Sequence, residues 1–271
     1  MFASARPLLR SLSPAGSSLA RPLDLRLPSN RLALTGTLGF LGLALLLRRP
    51  WKEVLGTGGS AFLGWAIGRE LDPDHPGTAA LALGLAGTGS VFGPANTRSV
   101  AQLVPGFAAL GSLRLLVGTV GLAPALPDLA ALSLQAGLAG VGGTRSAALL
   151  PAAALGLSST QGDALSPPGS WGLAALGVGL LAHRRGAQRS RSVFSDLLSL
   201  AVLGLGSGLV APETPTSACD QAPRKVAAQR LHAARALSLG TLALGLLRGE
   251  SGRLIPLAAA ALGTSLRRLQ N

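Results

Sequence analysis

Charged residues are scarce in this sequence. They make up 13% of its 271 residues, against about 25% in an ordinary soluble domain. So few charges leave too little polar surface to cover a soluble globule of this size, and they exclude a disordered chain, which needs low hydrophobicity and high charge. With 48% hydrophobic residues and a mean hydropathy of +0.45, the composition predicts a protein that folds in lipid.

Aromatic residues are also few, at 3% of the chain, and tyrosine is absent. This argues against a membrane β-barrel, which carries aromatic girdles at both interfaces and alternates apolar with polar residues. A helix, in contrast, satisfies its own backbone hydrogen bonds inside lipid. The sequence therefore predicts an all-α, polytopic integral membrane helix bundle with about nine transmembrane helices.

The single cysteine, Cys219, excludes an intramolecular disulfide and a cysteine-based zinc site. It lies in a polar segment rich in Pro, Thr and Ser, which favours an exposed free thiol over a nucleophile. The Gly-x-x-x-x-Gly-Lys-[Ser/Thr] loop and the His-Glu-x-x-His and Gly-x-Ser-x-Gly motifs do not occur. We expect no cofactor.

The net charge of +13 comes from arginines grouped between apolar runs rather than along one polar face. That arrangement argues against nucleic acid as a partner and follows the rule that Lys and Arg gather in cytoplasmic loops. The predicted partner is the lipid bilayer, with contacts between the basic loops and anionic lipids. A second copy of the chain or another membrane protein is a further candidate partner.

Two regions differ in composition. Residues 1–31 form a Ser-, Pro- and Arg-rich tail, interpreted either as a basic surface tail or as an organellar transit peptide. Residues 32–268 form the predicted transmembrane domain, with a longer polar loop at 212–234. The corresponding location is the cytoplasmic or inner membrane of a cell, with an organellar inner membrane as the alternative. The apolar segments are 32–47, 54–68, 77–95, 99–159, 171–182, 193–211, 235–248 and 254–266.

Orientation follows from two basic loops, 48–52 and 184–191, which should both be cytoplasmic. Three helices within 99–159 place the two loops on the same side, whereas four do not. The basic tail then falls on the opposite side, and the sequence alone does not resolve that conflict.

Helix association in lipid depends on close backbone approach, which small residues permit. In the second apolar segment they recur every fourth position and predict a packing face, formed by Gly56, Ser60, Gly64 and Gly68.

The most unusual polar stretch follows that segment and contains Arg69, Glu70, Asp72, Asp74 and His75. One interpretation is a turn in which Asp74 caps the next helix and Pro76 occupies its first turn. The other is a site where the carboxylates and the imidazole bind a divalent cation or a metal-bridged diphosphate. Asp196, three residues into an apolar segment, is a further candidate polar site.

These features lead to two functional hypotheses. The first is a non-enzymatic membrane component, either a passive or weakly coupled transporter or a structural partner of other membrane proteins. The alternative is a metal-dependent enzyme that acts on a lipid or diphosphate headgroup at the acidic stretch 69–76. The sequence identifies neither a substrate nor an oligomeric state.

Overall fold

The computed structural model describes residues 16–93, 100–182 and 190–270, and all secondary structure there is helical apart from one isolated β-bridge. The all-α prediction is confirmed. Residues 6, 10, 98, 184, 185 and 189, which carry six of the arginines, lie outside these ranges. The helices are α1 (Pro28–Leu46), α2 (Trp51–Leu71), α3 (Pro76–Phe92), α4 (Leu103–Val117), α5 (Leu126–Val141), α6 (Arg145–Ser159), α7 (Ser170–Leu181), α8 (Val193–Gly204), α9 (Gly206–Val210), α10 (Ala228–Arg248) and α11 (Ile255–Leu269).

Proline and glycine punctuate these helices. Pro28, Pro76 and Pro256 occupy first-turn positions, where the missing N–H costs nothing. Gly118 and Gly249 follow α4 and α10 in the left-handed conformation, at φ 73° and 71°. An L side chain rarely adopts that conformation, so glycine is the natural helix terminator there.

Successive helices run in opposite directions. Gly64 and Gly68 of α2 contact Ala82 and Ala79 of α3 respectively, which is the order expected of an antiparallel pair. Counting α8 and α9 as one interrupted passage, residues 16–93, 100–182 and 190–270 make ten passages between two ends of the bundle. Three of them fall between residues 99 and 159, the number that the orientation argument favours.

The two ends differ in the number of acidic residues that they carry. The end that we call the ion-pair end contains residues 16–27 and the connections 72–75, 118–125, 160–169 and 211–227. Eight of the eleven acidic residues lie there: Asp24, Glu70, Asp72, Asp74, Asp128, Asp163, Glu213 and Asp220. The ion-pair end also carries eleven described basic residues. The other end, the basic end, carries the remaining three acids and seven described basic residues: Arg48, Arg49, Lys52, Arg145, Arg191, Arg248 and Arg253.

The helices form an inner and an outer set. Most residues of α2 and α11 are buried, and Ala258–Ala261 of α11 are fully enclosed. α1, α5, α7 and α8 lie outside and expose leucine and valine side chains. Their small buried residues allow the helices to approach closely, as expected for helices that associate through van der Waals contact.

Only two described helical segments are long and apolar enough to qualify as membrane spans by length and composition. These are Pro28–Leu46, with 17% of its best window buried, and Val100–Val117, with 56% buried. Leu126–Val141, Ser170–Leu181 and Val193–Gly204 are apolar but shorter. Core helices of soluble proteins have similar length and composition. Whether lipid or water surrounds the bundle therefore depends on the residues that its outer surface exposes.

Two sequence boundaries shift in the structure. The first helix begins at Pro28 rather than after residue 31, and residues 16–27 pack on the bundle through Ser17 and Ser18, which donate hydrogen bonds to Asp128. The long polar loop ends at residue 227, because α10 begins at Ala228 and includes the basic residues that follow.

Candidate functional site

The buried carboxylate of Glu70 is the centre of the first polar cluster at the ion-pair end. Arg114 of α4 donates from Nε to Glu70 Oε1 at 2.7 Å, and Thr119 donates to Oε2 at 2.5 Å. Arg21 approaches the same carboxylate at 3.7 Å while pairing with Asp220 at 2.6 Å. Glu70 has no exposed surface, so these partners replace its hydration. The cluster ties residues 16–27 and the 211–227 loop to α2 and α4.

Asp72 is the centre of a second cluster. It accepts from Arg267 Nε at 2.9 Å and from Thr78 Oγ1 at 2.7 Å, and it lies 2.9 Å from His75 Nδ1. Arg235, almost completely buried, bonds to the Leu71 carbonyl and lies 3.9 Å from Asp72. Through these contacts the end of α2 is joined to α10 and α11.

Glu213, from the 211–227 loop, completes this second cluster. Arg235, Arg267 and Arg268 all pair with it, the first at 2.7 Å and the second at 2.9 Å. Burial raises the pKa of Glu213, but the arginines outweigh that effect and hold the pKa below its usual value. Asp72, His75 and Glu213 each offer a ligand atom, and these atoms lie within 4.8 Å of one another.

Asp74 points to a different partner from the one expected of a helix cap. Its carboxylate accepts from the backbone N–H groups of Thr216 and Ser217, at 2.8 and 2.7 Å. His75, not Asp74, is the N-cap residue of α3, and it makes no side-chain capping bond. Partial burial raises the pKa of Asp74, but the hydrogen bonds from Ser217 and Thr216 outweigh it and lower the pKa.

The sequence-predicted acids therefore divide between separate sets of partners. Glu70 and Asp72 lie two positions apart at the end of a helix, where each residue turns the side chain by about 100°, so they point to opposite sides. Asp72 and His75 are brought together, whereas Glu70 joins Arg114 and Asp74 joins the 211–227 loop. Glu213, Arg235 and Arg267 were not predicted as site residues, since a single sequence carries no signal for contacts across such separations.

The other predicted site residues have clear positions. Arg69 bonds from Nη1 to Ser29 Oγ at 3.3 Å, and its guanidinium lies 5.9 Å from the Trp65 ring centroid. Asp196, in the first turn of α8 at the basic end, pairs with Arg191 at 3.0 Å and accepts from Ser251. A carboxylate is favoured there by the positive end of the helix dipole.

Three of the four small residues predicted as the packing face of α2 lie against α3. A Cβ added to Gly64 would meet Ala86 Cβ at 2.6 Å and the Ala82 carbonyl oxygen at 2.7 Å. A Cβ added to Gly68 would meet Ala79 Cα at 3.0 Å, and Ser60 Oγ donates to the Ala86 carbonyl at 3.3 Å. The fourth member, Gly56, is buried.

Cys219 and Asp163 lie outside the predicted site. The first was expected to be exposed, and the second was not predicted as a site residue. Cys219 is buried rather than exposed, at 8% accessibility, and donates to the Gly118 carbonyl. Burial raises the pKa of its thiol. Asp163 accepts two hydrogen bonds from the buried Arg230, at 2.7 and 2.6 Å. These bonds are the main reason why the pKa of Asp163 is lowered to about 2.

A cavity of about 500 Å³ lies beside the Glu70 cluster, enclosed by residues 19–30, α2, α4, α5 and part of the 211–227 loop. Its lining includes arginine and aromatic side chains, among them Arg21, Arg69, Arg114, Phe62, Trp65 and Phe107. A cavity of this size falls in the range of small-molecule sites.

Comparison of the chain with protein families, with curated proteins and with solved structures gives no match.

Proposed function

We propose that this protein is a multi-pass integral membrane protein with a non-enzymatic role, as a passive or weakly coupled transporter or a structural membrane component. The observation that carries the proposal is the outward surface of the outer helices. The exposed residues of α5 are all apolar: Leu126, Ala130, Leu134, Leu138 and Val141. α8 likewise exposes Val193, Leu197, Leu200, Ala201 and Gly204. Apolar stripes that run along whole helices fit lipid and would be an aggregation liability in water.

The distribution of charge supports the same proposal. The charged side chains of the described helices lie near one end or the other, and the apolar stripes lie between them. α2 and α10 have 21 residues each and are therefore about 31 Å long, close to the roughly 30 Å of a hydrocarbon core. Shorter helices such as α7 require local thinning of the bilayer.

The bilayer is the proposed partner. The basic end, which contains the 48–52 loop, is the proposed cytoplasmic side, because its described basic residues outnumber its acids seven to three, against eleven to eight at the ion-pair end. The proposed location is a cytoplasmic or inner membrane, with an organellar inner membrane as the alternative. The Glu70 and Asp72 clusters are then assigned a structural role, since their arginine partners compensate the buried carboxylates.

The experiment that tests the membrane proposal places a charge on an outward stripe. Leu134→Arg in α5 puts a guanidinium at mid-helix, where a membrane helix loses roughly 3 kcal/mol of insertion free energy. We expect this variant to be lost from carbonate-washed membranes, while Leu126→Arg, at the ion-pair end of the same stripe, stays at the wild-type level. If Leu134→Arg accumulates normally or increases the amount of soluble protein, the stripe faces water and the proposal is wrong.

A second candidate function is a metal-dependent enzyme acting on a lipid or diphosphate headgroup. It is favoured by the proximity of Asp72, His75 and Glu213, whose oxygen and nitrogen atoms suit a divalent cation. A cation would have to compete with Arg235 and Arg267 for the two carboxylates.

Thermal unfolding of the purified protein with Mg²⁺ or Mn²⁺ separates the two functions. The enzyme predicts stabilisation by the metal that disappears in Asp72→Asn and Glu213→Gln and persists in Asp24→Asn, which changes an exposed acid. The non-enzymatic proposal predicts no metal-dependent change in any of them.

A further inference from the structure

The cavity beside the Glu70 cluster has a polar end and an aromatic end. Arg69 and Arg114 lie near the ion-pair ends of α2 and α4, which run in the same direction. Phe62 and Phe107 precede them by seven residues each, which places both rings about 10 Å deeper along the two helices. The lining therefore carries three arginines and two aspartates, Asp24 and Asp220, toward one end and aromatic rings toward the other.

The three arginines of the lining are not equivalent. Arg114 pairs with Glu70, and Arg21 pairs with Asp220. Among the described residues, Arg69 forms no ion pair with a carboxylate. Its buried Nε also has no hydrogen-bond acceptor among them. Its contacts are a weak bond to Ser29 and the face of Trp65. A half-buried guanidinium in this condition is well suited to an incoming anion.

We propose that this cavity binds an amphipathic carboxylate, of the class of a medium-chain fatty acid. The carboxylate pairs with Arg69 at the polar end of the cavity, and the acyl chain packs on Phe62 and Phe107 at the aromatic end. A guanidinium matches a carboxylate in shape and charge, and burial of the chain against aromatic rings supplies the apolar contribution. This inference goes beyond the proposed function and rests on the cavity alone, so it stands or falls independently of bilayer insertion.

The position of Trp65 in the lining provides a direct optical readout. With Trp51→Phe and Trp171→Phe, Trp65 is the only remaining indole of the chain's three tryptophans. The purified full-length protein is titrated with terminally brominated octanoate, which quenches a nearby indole. Octanoate, hexanoate, acetate and octylamine then serve as unbrominated competitors.

The proposal predicts saturable quenching of Trp65 that octanoate reverses. Octanoate should compete on the order of tenfold better than hexanoate because of its two additional buried methylenes, and acetate and octylamine should not compete. Arg69→Gln should weaken binding by about tenfold or more, as expected for loss of a charge-assisted hydrogen bond. Arg26→Gln, which changes an exposed arginine outside the lining at the same end, should bind as the wild type does.

Phe107→Ala provides a second variant that changes the aromatic end rather than the polar end, and the 45% exposure of Phe107 makes the position tolerant of substitution. It should weaken octanoate binding and reduce the preference for octanoate over hexanoate. Quenching that does not saturate, competition by acetate or octylamine equal to that by octanoate, or binding unchanged in both Arg69→Gln and Phe107→Ala would overturn the proposal. If Arg69→Gln does not fold, the chain-length preference and Phe107→Ala decide it.

Discussion

Arg114 on α4 and Glu70 on α2 form a buried ion pair of 2.7 Å, although 44 residues separate them in the chain. Arg114 also donates to the Leu19 carbonyl at 2.8 Å, so one guanidinium joins two helices to the segment that precedes α1. This pair and the Asp72–Arg267 pair hold the ion-pair end of the bundle together, while small residues pack the helices between the ends.

Loss of the Glu70 carboxylate should destabilise the protein strongly. Glu70→Gln leaves Arg114 without its counter-charge in a buried site, and breaking such a pair typically costs about 3–5 kcal/mol. Thermal unfolding can be followed with a fluorogenic maleimide, because the buried Cys219 becomes reactive only when the protein opens. Asp24→Asn, an exposed acid at the same end, should unfold like the wild type. Equal midpoints for Glu70→Gln and the wild type would show that the pair contributes no stability.

Two glycine substitutions on facing helices should have opposite effects. Gly64→Ala places a Cβ within 3 Å of Ala86 and of the Ala82 carbonyl, so α2 and α3 must separate, at a cost of about 1–3 kcal/mol. Gly64→Leu should separate them further and disrupt the fold in detergent.

The matched control is Gly84→Ala on α3, where an added Cβ meets nothing within 4 Å. It should be neutral or should stabilise by up to about 1 kcal/mol through helix propensity. Equal unfolding midpoints for the two alanine variants would remove Gly64 from the packing face.

The Asp163–Arg230 pair predicts part of the acid sensitivity of the fold. The pKa of Asp163 is lowered to about 2 in the folded protein, against an ordinary value of 3.8. Its contribution to stability is therefore fully present above about pH 4 and is lost as the pH falls through 2, because the unfolded chain takes up the proton first. Side-chain exposure of 40% limits the size of this contribution through solvent screening.

The measurement is the unfolding midpoint of the wild type and of Asp163→Asn between pH 2 and pH 5. The wild-type midpoint should fall more steeply than that of Asp163→Asn, and the two should converge at the acid end. Parallel curves would contradict the pairing. Glu213 and Asp74, whose pKa values are also lowered, contribute to the acid response of both proteins.

Much of the secondary structure was predictable because apolar runs and breakers mark helices directly. The breaks near Pro124 and Arg145 divide the stretch 99–159 into three or four helices, and the structure contains three there, α4, α5 and α6. The turn at 72–75 was likewise predictable from Asp-Pro and from Pro76 at the start of α3.

The partners of the acidic residues were much less predictable. The local sequence favours Asp74 as a cap of α3, but the residues that satisfy it lie more than 140 positions away in the 211–227 loop. Cys219 has polar sequence neighbours and is nevertheless buried against Gly118, since that loop folds onto the end of α4. Composition describes the neighbours of a residue along the chain, whereas burial depends on tertiary contacts.

The central claim, that the helices cross a bilayer with their basic end in the cytoplasm, is tested most directly by cysteine labelling in a Cys219→Ser background. Lys52→Cys and Arg191→Cys probe the basic end, and Arg224→Cys probes the ion-pair end; all three positions are exposed. In intact cells a membrane-impermeant maleimide should label Arg224→Cys alone, and all three variants should react once the cells are lysed. Labelling of all three in intact cells, or of none of them until lysis, would contradict a bundle whose two ends lie on opposite sides of a cell membrane.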